Sequence, residues 1–269
     1  MMDTMPEDRK YIEVKTLGQN PFVSRVVIDA KHPWLAHHVV KGRPVLPGAA
    51  WIHLVMELAK HMYPSFEIQC VFDVAWLRPI VSSVQVEFHV AIEHCQDTTQ
   101  LRFTIDSGGQ RCGTGRLSSV PLRVGPIVPI SMQATWDRGP LKIITRERLY
   151  HEFLHMGIGY GAYFRKVSYV QRCGRTSFAV IGGNGTGIGR ANLMDCAFQG
   201  GLAISIGEHQ EALMPYSLGR MIVHHKIPYP LEFAYVVTRK DSEFRTSFTA
   251  YNDDCEPLLS VSDLGVKPG

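Results

Sequence analysis

The chain lacks the features that mark membrane, secreted and nucleic-acid-binding proteins. Among its 269 residues, no apolar run approaches the ~20 residues of a membrane span, and the charged N-terminus has no apolar core of a secretory signal. No block of Lys or Arg could follow a phosphate backbone, and the net charge is only +3. We therefore expect neither membrane nor nucleic acid as a partner, and we predict a cytoplasmic location.

Metal and nucleotide signatures are also scarce. The six cysteines are scattered, with no CxxC pair, which is typical of reduced thiols in a chain of this length. The run IGGNGTGIG (181–189) lacks the GxGxxG spacing and the Lys-Ser/Thr of phosphate-binding loops, so it predicts a flexible connector. We expect no metal and no cofactor.

Hydrophobic patterning divides the chain into two halves with the same order of elements. In each half a long apolar helix, predicted at 49–63 and at 191–209, precedes a series of alternating strand-like segments. A Pro-containing stretch at about 125–145 predicts the linker between them. The pattern predicts an internally duplicated α+β fold, with domains at 1–135 and 136–269.

The first half contains a histidine in a loop that leads into its apolar helix. His38, Gly42 and Pro47 have the spacing HxxxGxxxxP, which the adjacent His37 does not share. Glycine allows a tight turn, and a proline followed by Gly48 suits the start of a helix. The N–H groups exposed at such a helix start can hold a carbonyl oxygen on which negative charge develops. His38 is thus the candidate general base, and the other histidines are interpreted as surface or structural.

The second half places an acid and an amide one helical turn apart. Asp195 and Gln199 are separated by four residues, so their side chains face the same way among apolar neighbours. Burial raises the pKa of a carboxyl, and Gln199 can orient it. An acid stabilised by the positive end of a helix is the structural alternative. In a third segment, GYGAYF (159–164), Tyr160 is a candidate for offering its hydroxyl to a substrate or to Asp195, and a core aromatic at a turn is the structural alternative.

At these residues the chain resembles the dehydratase domains of modular polyketide synthases. HPWLAHHVVKGRPVLPGAAW (32–51), GYGAYF and ANLMDCAFQ (191–199) are similar to the three signatures of that family, and LMPYSLGRMIV (213–223) to the strand that follows. The resemblance spans roughly residues 20–265. His37, Ala162 and Asn192 depart from the usual residues, but no catalytic side chain is lost.

The resemblance implies a double hot-dog fold, in which two antiparallel sheets each wrap around a long helix. It implies that His38 takes the α-proton of a β-hydroxyacyl thioester while Asp195 protonates the departing hydroxyl. Gln199 and Tyr160 would support Asp195, and the backbone at Gly48 would polarise the carbonyl. Four residues are expected to line the apolar slot for the acyl chain: Leu46, Pro47, Phe164 and Phe198.

The same resemblance implies an acyl carrier protein as partner, with the substrate on its phosphopantetheine arm. Arg165 and Lys166 are candidates for contacting that acidic protein, although an ordinary solvated pair is the simpler interpretation. Neighbouring synthase domains and a homodimer are further possible partners.

Several functions remain open at this stage. The His/Asp pair on this fold also serves cyclases, either a product-template aldol cyclase or an enzyme that closes a cyclic ether after dehydration. A double-bond-shifting enzyme ranks lower, because such enzymes often lack the acid. A non-catalytic acyl-binding module is the remaining alternative.

Overall fold

The computed structural model describes residues 10–19, 21–120, 140–182, 188–208, 213–224 and 231–268. Within them the helices are α1 Pro33–Ala36, α2 Gly48–Met62, α3 Arg146–His155 and α4 Arg190–Leu202, which continues into a 3₁₀ turn at Ala203–Ser205. The strands before residue 120 are β1 Ile12–Gln19, β2 Phe22–Asp29, β3 His38–Val40, β4 Arg43–Pro44, β5 Cys70–Trp76, β6 Gln85–His94, β7 Gln100–Ser107 and β8 Gln110–Ser118. Those after residue 140 are β9 Lys142–Thr145, β10 Ile158–Tyr160, β11 Val167–Cys173, β12 Thr176–Gly182, β13 Leu213–Val223, β14 Phe233–Ser242, β15 Arg245–Tyr251 and β16 Pro257–Pro268.

Thirteen strands form one continuous antiparallel sheet. Its order is β1-β2-β6-β7-β8-β5-β13-β16-β15-β14-β12-β11-β9, so each half of the chain supplies a contiguous set of strands. The two sets join where β5 pairs with β13, with Ala75 opposite Ser217 and Val71 opposite Met221. The predicted boundary at 135/136 lies outside the described residues, and the division into domains stays a prediction.

Strand alternation produces the buried face of the first set. In β6, the side chains of Val86, Phe88, Val90 and Ile92 are buried, because alternate residues of a strand point to the same face. The alternating sequence predicts that Val84 belongs to the same buried series, but Val84 precedes the strand and is 73% exposed. The hairpin of β1 and β2 was not predicted.

The two long helices lie inside these sheets. Helix α2 packs its apolar stripe inward and leaves Lys60 and His61 exposed. Helix α4 is enclosed by the rest of the protein on all sides, as every residue from Ala191 to Leu202 is buried. The two helices also contact each other, which brings together the parts of the chain that carry His38 and Asp195.

Two sequence predictions need correction. The glycine-rich sequence SGGQRCGTG (107–115) predicts a turn over its whole length, but the structure turns only at Gly108 and Gly109, since β8 already begins at Gln110. Gly113 and Gly115 lie within that strand, where a Cβ would collide with the rings of Trp51 and Phe103. The predicted linker at 125–145 overlaps strand β9, whose residues pair with β11, and its part up to residue 139 lies outside the described residues.

A second, three-stranded sheet of order β10-β3-β4 connects the halves near the histidine. Tyr160 of β10 pairs with His38 of β3, and Ile158 pairs with Val40. The GYGAYF segment is thereby fixed beside the histidine, although more than a hundred residues separate them. No helix of the described residues is long and apolar enough to cross a bilayer.

Candidate active site

His38 is held by its own hairpin. Strand β3 turns at Lys41 and Gly42, which both have positive φ angles of 48° and 76°, and returns as β4. Glycine adopts this conformation at no steric cost, as the spacing predicted. The hairpin brings Val45 back to His38, where the N–H of Val45 donates to the His38 carbonyl at 3.0 Å.

The same contact fixes the tautomer of the imidazole. Nδ1 of His38 lies 2.8 Å from the carbonyl oxygen of Val45. Because a carbonyl can only accept, Nδ1 must carry the proton, which leaves the lone pair on Nε2. The side chain is buried, with 7% of its surface exposed, and its ring makes edge contacts with Tyr160 and Phe164. The geometry prepares Nε2 to accept a proton.

Asp195 lies in the middle of helix α4. It is the sixth residue of a helix that begins at Arg190, so stabilisation by the helix N-terminus does not account for it. Only 6% of its surface is exposed, and this burial raises its pKa above the usual value. Nearby His38 and the hydrogen bond from Gln199 oppose that shift. A carboxyl in this environment is suited to hold and deliver a proton.

Gln199 connects Asp195 to a residue that sequence reasoning missed. Its Nε2 donates to Oδ2 of Asp195 at 2.9 Å and to the carbonyl of Phe164 at 3.1 Å. Its Oε1 lies 2.9 Å from the hydroxyl of Tyr150 on helix α3. Tyr150 follows Leu149 in helix α3, and no sequence motif singled it out. Only the packing of α3 against the sheet reveals its place beside Gln199.

A cavity of about 410 Å³ opens over both catalytic candidates. His38, Asp195, Tyr160 and Gly48 line it, as do the expected slot residues Leu46 and Phe198. Trp51 and Trp76 add an aromatic wall on which Phe198 makes a further edge contact. Gly48 is required beside this wall, because a Cβ there would approach the Trp76 indole within 3.0 Å.

Two expected slot residues lie elsewhere. Phe164 is fully buried behind His38 and does not line the cavity, because its ring packs into the core while its carbonyl accepts from Gln199. Pro47 is buried as the N-cap of α2 and is also absent from the lining. For the hydroxyl of Tyr160, the described residues provide no hydrogen bond; burial and nearby Asp195 raise its pKa well above the usual value.

The basic residues expected at the slot mouth are replaced by others. Lys166 is buried, and Arg165 stacks its guanidinium over the ring of Tyr150, 4.9 Å from the centroid. Neither lines the cavity. Four exposed cations do line it, and they come from the β3–β4 hairpin, the segment after β5 and the end of β16: Lys41, Arg43, Arg78 and Lys267.

One metal signature was overlooked in the sequence. Residues 151–155 read HEFLH on helix α3, which is the HExxH spacing of two zinc-binding histidines. His151 and His155 are exposed. The described part of the chain holds no group of three His, Cys, Asp or Glu side chains that could bind a metal ion. The absence of a metal stays a prediction.

Comparison with known proteins gives a consistent result. Residues 12–108 match the family model of the polyketide synthase dehydratase domain. The chain is 28% identical over 222 residues to the polyketide synthase ThaG of Burkholderia thailandensis, and 27% identical over 185 residues to the pikromycin polyketide synthase component PikAII of Streptomyces venezuelae. These matches cover 77% and 62% of the chain but only 4% and 5% of the two synthases.

Solved structures define the fold. The dehydratase domain from the CurF module of curacin polyketide synthase has a TM-score of 0.79 at 17% identity, covering 96% of this chain and 98% of that one. The dehydratase domain of RzxB from Pseudomonas fluorescens has a TM-score of 0.72 at 20% identity, covering 95% and 97%. The fold is therefore the double hot-dog, as predicted. The family model over residues 12–108 and both solved structures are of polyketide synthase dehydratase domains, so this is the family that the chain is similar to.

Proposed function

We propose that the protein removes water from a β-hydroxyacyl thioester carried on an acyl carrier protein, forming an α,β-unsaturated thioester in polyketide biosynthesis. The observation that carries the proposal is that His38 and Asp195 line the same cavity. One presents a lone pair on Nε2, and the other is a buried acid with a raised pKa. Elimination of water needs these two groups, a base at the α-carbon and an acid at the β-oxygen.

The proposed reaction begins with Nε2 of His38 removing the α-proton. The electron pair forms the α,β double bond while the β-carbon–oxygen bond breaks, and the proton of Asp195 leaves with that oxygen as water. Asp195 is then the carboxylate and His38 the imidazolium, so one proton must pass back before the next turnover. Substitutions in relatives support both roles: the CurK dehydratase is described as inactive after a His-to-Phe and after an Asp-to-Asn replacement.

The start of α2 is suited to bind the thioester oxygen. The helix begins at Gly48, and no side chain caps its N-terminus. The first N–H groups of a helix have no partner within it. Since Gly48 and Ala49 line the cavity, the proposed acceptor for these groups is the thioester carbonyl, whose oxygen gains negative charge as the α-proton leaves.

The four exposed cations support a carrier protein as the source of substrate. Among the described residues lining the cavity, Asp195 is the sole carboxylate, whereas Lys41, Arg43, Arg78 and Lys267 are basic. The strand pairings bring them together, because Met214 pairs with Lys267 and the bridge of Val45 with Val81 brings the β3–β4 hairpin to the segment after β5. A phosphopantetheine arm is anionic, so this rim is complementary to it. Neighbouring synthase domains and a homodimer stay predictions, as does the cytoplasmic location.

Nothing in this proposal requires a cofactor, because the thioester itself acidifies the α-proton. The test incubates the protein with β-hydroxyacyl groups on a carrier protein and, separately, on free pantetheine, and follows mass and alkene absorbance. We expect loss of one water with formation of an alkene, reduced ~10²–10⁴-fold in the His38→Phe and Asp195→Asn variants. The carrier-bound substrate should also lose affinity as salt increases, and the pantetheine substrate much less.

Other outcomes would replace the proposal with one of the alternatives. Loss of water without an alkene indicates closure of a cyclic ether. Lack of any mass change with all β-hydroxy substrates excludes a dehydratase and leaves a cyclase of poly-β-ketone chains or an acyl-binding module. A His38→Phe variant with full activity would remove the assignment of the base.

A further inference from the structure

A line of hydrogen bonds extends behind Asp195, away from the cavity. The N–H of Val167 donates to the hydroxyl oxygen of Tyr150 at 3.0 Å. The Tyr150 hydroxyl lies 2.9 Å from Oε1 of Gln199, and Nε2 of Gln199 lies 2.9 Å from Oδ2 of Asp195. Tyr150 and Asp195 are buried and Gln199 is fully so, which shields these hydrogen bonds from most competition by water.

The Phe164 carbonyl and the Tyr150 hydroxyl together determine the orientation of the Gln199 amide. The carbonyl of Phe164 lies 3.1 Å from Nε2 of Gln199, and a carbonyl cannot donate. The amide nitrogen must therefore face Phe164 and Asp195, and the amide oxygen must face Tyr150. With the amide reversed, the oxygen of Gln199 would oppose the carbonyl of Phe164, and the nitrogen would oppose a hydroxyl that already accepts from Val167.

Tyr150 has one proton with which to complete the line. Its oxygen already accepts from the backbone of Val167, so its O–H is available to donate. Gln199 at 2.9 Å is a closer acceptor than the Phe164 carbonyl at 3.3 Å. Burial raises the pKa of Tyr150 well above its usual value, so the hydroxyl stays protonated. Each donor in the line then points toward Asp195.

We propose that Tyr150 is a positioning residue that orients Gln199 and thereby determines which oxygen of Asp195 carries the catalytic proton. Gln199 donates to Oδ2, so a proton on that oxygen would face the amide N–H groups. The proton must then occupy Oδ1, the oxygen that Gln199 does not contact. This inference rests on the proposed function, since it assigns a direction to the acid of that reaction.

The test compares Tyr150→Phe with Tyr63→Phe. Tyr63 is a matched control because its hydroxyl also donates a hydrogen bond, to the carbonyl of Ile92 at 3.2 Å, but Tyr63 does not line the cavity. We expect Tyr150→Phe to lower kcat about 10- to 100-fold with little change in KM, since a misplaced acid slows the chemical step. Tyr63→Phe should leave kcat unchanged. Thermal melts of both variants establish that they fold.

A pH profile provides a readout that a purely structural role would not move. The hydrogen bond from Gln199 lowers the pKa of Asp195, so its loss in Tyr150→Phe raises that pKa. Activity needs protonated Asp195, so the fall of kcat at high pH should move to higher pH in Tyr150→Phe. The titratable groups that interact with Asp195 are His38 on β3, Tyr150 on α3, Tyr160 on β10 and Cys196 on α4. Only Tyr150 is altered in the variant.

A double-mutant cycle with Gln199→Met completes the design. If Tyr150 acts through Gln199, the double variant should be no slower than Gln199→Met alone. Gln199→Met also tests the line if Tyr150→Phe does not fold, since it should move the high-pH limb in the same direction. Additive losses, or an unmoved limb in both variants, would overturn the proposal. Because every ratio is taken against the wild type, failure of the wild type to release water refutes the proposed function instead.

Discussion

The two long helices, α2 and α4, contribute to their shared cavity in different ways. Helix α2 supplies backbone: its uncapped first turn lies at Gly48, and the proposed base His38 precedes it on a strand. Helix α4 supplies side chains from its middle, Asp195 and Gln199. The first half therefore holds its proposed catalytic group by a hairpin and a carbonyl, and the second half holds its own by a line of side-chain hydrogen bonds.

The difference follows from burial. Helix α2 has one exposed edge, where Lys60 pairs with Glu57 at 3.2 Å. Helix α4 is buried over twelve consecutive residues, so each of its polar groups needs a partner inside the protein. Asn192 donates to the carbonyl of Tyr163, and Gln199 to that of Phe164. These partners belong to the GYGAYF segment, which explains why that segment lies beside α4.

A substrate that needs a base but no acid gives the strongest test of the different roles proposed for His38 and Asp195. In a β-chloroacyl pantetheine, chloride leaves without a proton, so Asp195 has no role while His38 still does. We expect Asp195→Asn to lose ~10²–10⁴-fold on the β-hydroxy substrate but to stay within about tenfold of the wild type on the β-chloro substrate. His38→Phe should lose both activities. Rates come from alkene absorbance, corrected for elimination without protein. Equal losses for the two substrates in Asp195→Asn would contradict the division of roles.

A smaller effect on activity is expected from alanine at Gly48 of α2, and an effect on stability alone from alanine at Gly201 of α4. In Gly48→Ala the new Cβ would approach Trp76, displacing an indole that lines the cavity, so we expect kcat/KM to fall about 10- to 100-fold. In Gly201→Ala the Cβ would lie 2.9 Å from the ring of Phe248, which is outside the cavity lining. That variant should lose at most about 1–3 kcal/mol of stability and keep its activity. Steady-state kinetics and thermal melts measure both, and the reverse pattern would refute the distinction.

The smallest expected effect is a pH dependence of stability that comes from α4. Burial raises the pKa of Asp195 in the folded state above its unfolded value. Between those two values the unfolded chain has lost the proton while the folded protein keeps it, so the free energy of unfolding falls as pH rises. The contribution is complete below the unfolded pKa and is lost as pH rises through the folded pKa. Asp195→Asn should lack this decline, as urea unfolding at a series of pH values would reveal. Parallel curves for wild type and variant would contradict it.

Local signals were sufficient where they had a physical cause within a few residues. The spacing of His38, Gly42 and Pro47 correctly indicated a turn with positive φ and a helix start, because those requirements are local. The alternation in β6 predicted its buried face. The turn predicted at Gly113 and Gly115 was wrong, because the reason for glycine at these positions is distant in sequence. The rings of Trp51 and Phe103 occupy the space where Cβ atoms would lie.

In the candidate active site, too, local sequence signals did not predict contacts between distant parts of the chain. Phe164 was expected in the slot because it is aromatic and close to Tyr160 in sequence, yet its ring is buried and its carbonyl is the part that contacts Gln199. The predicted carrier contacts Arg165 and Lys166 are not on the cavity, and the basic residues that line it come from separate strands. Backbone acceptors and surface clusters of this kind have no sequence signature, because any residue can supply a carbonyl.

By itself, the sequence determined the chemistry that is available: a histidine in a tight turn, an acid and an amide one helical turn apart, and two helices apolar enough to be buried. Tertiary structure decided how these groups are used. Pairing of Tyr160 with His38, and of Ser217 with Ala75, brings the halves together, and burial of α4 raises the pKa of Asp195. Only the packing of α3 places Tyr150 beside Gln199. A pKa and the direction of a hydrogen bond depend on every neighbouring group, and those neighbours come from distant parts of the chain.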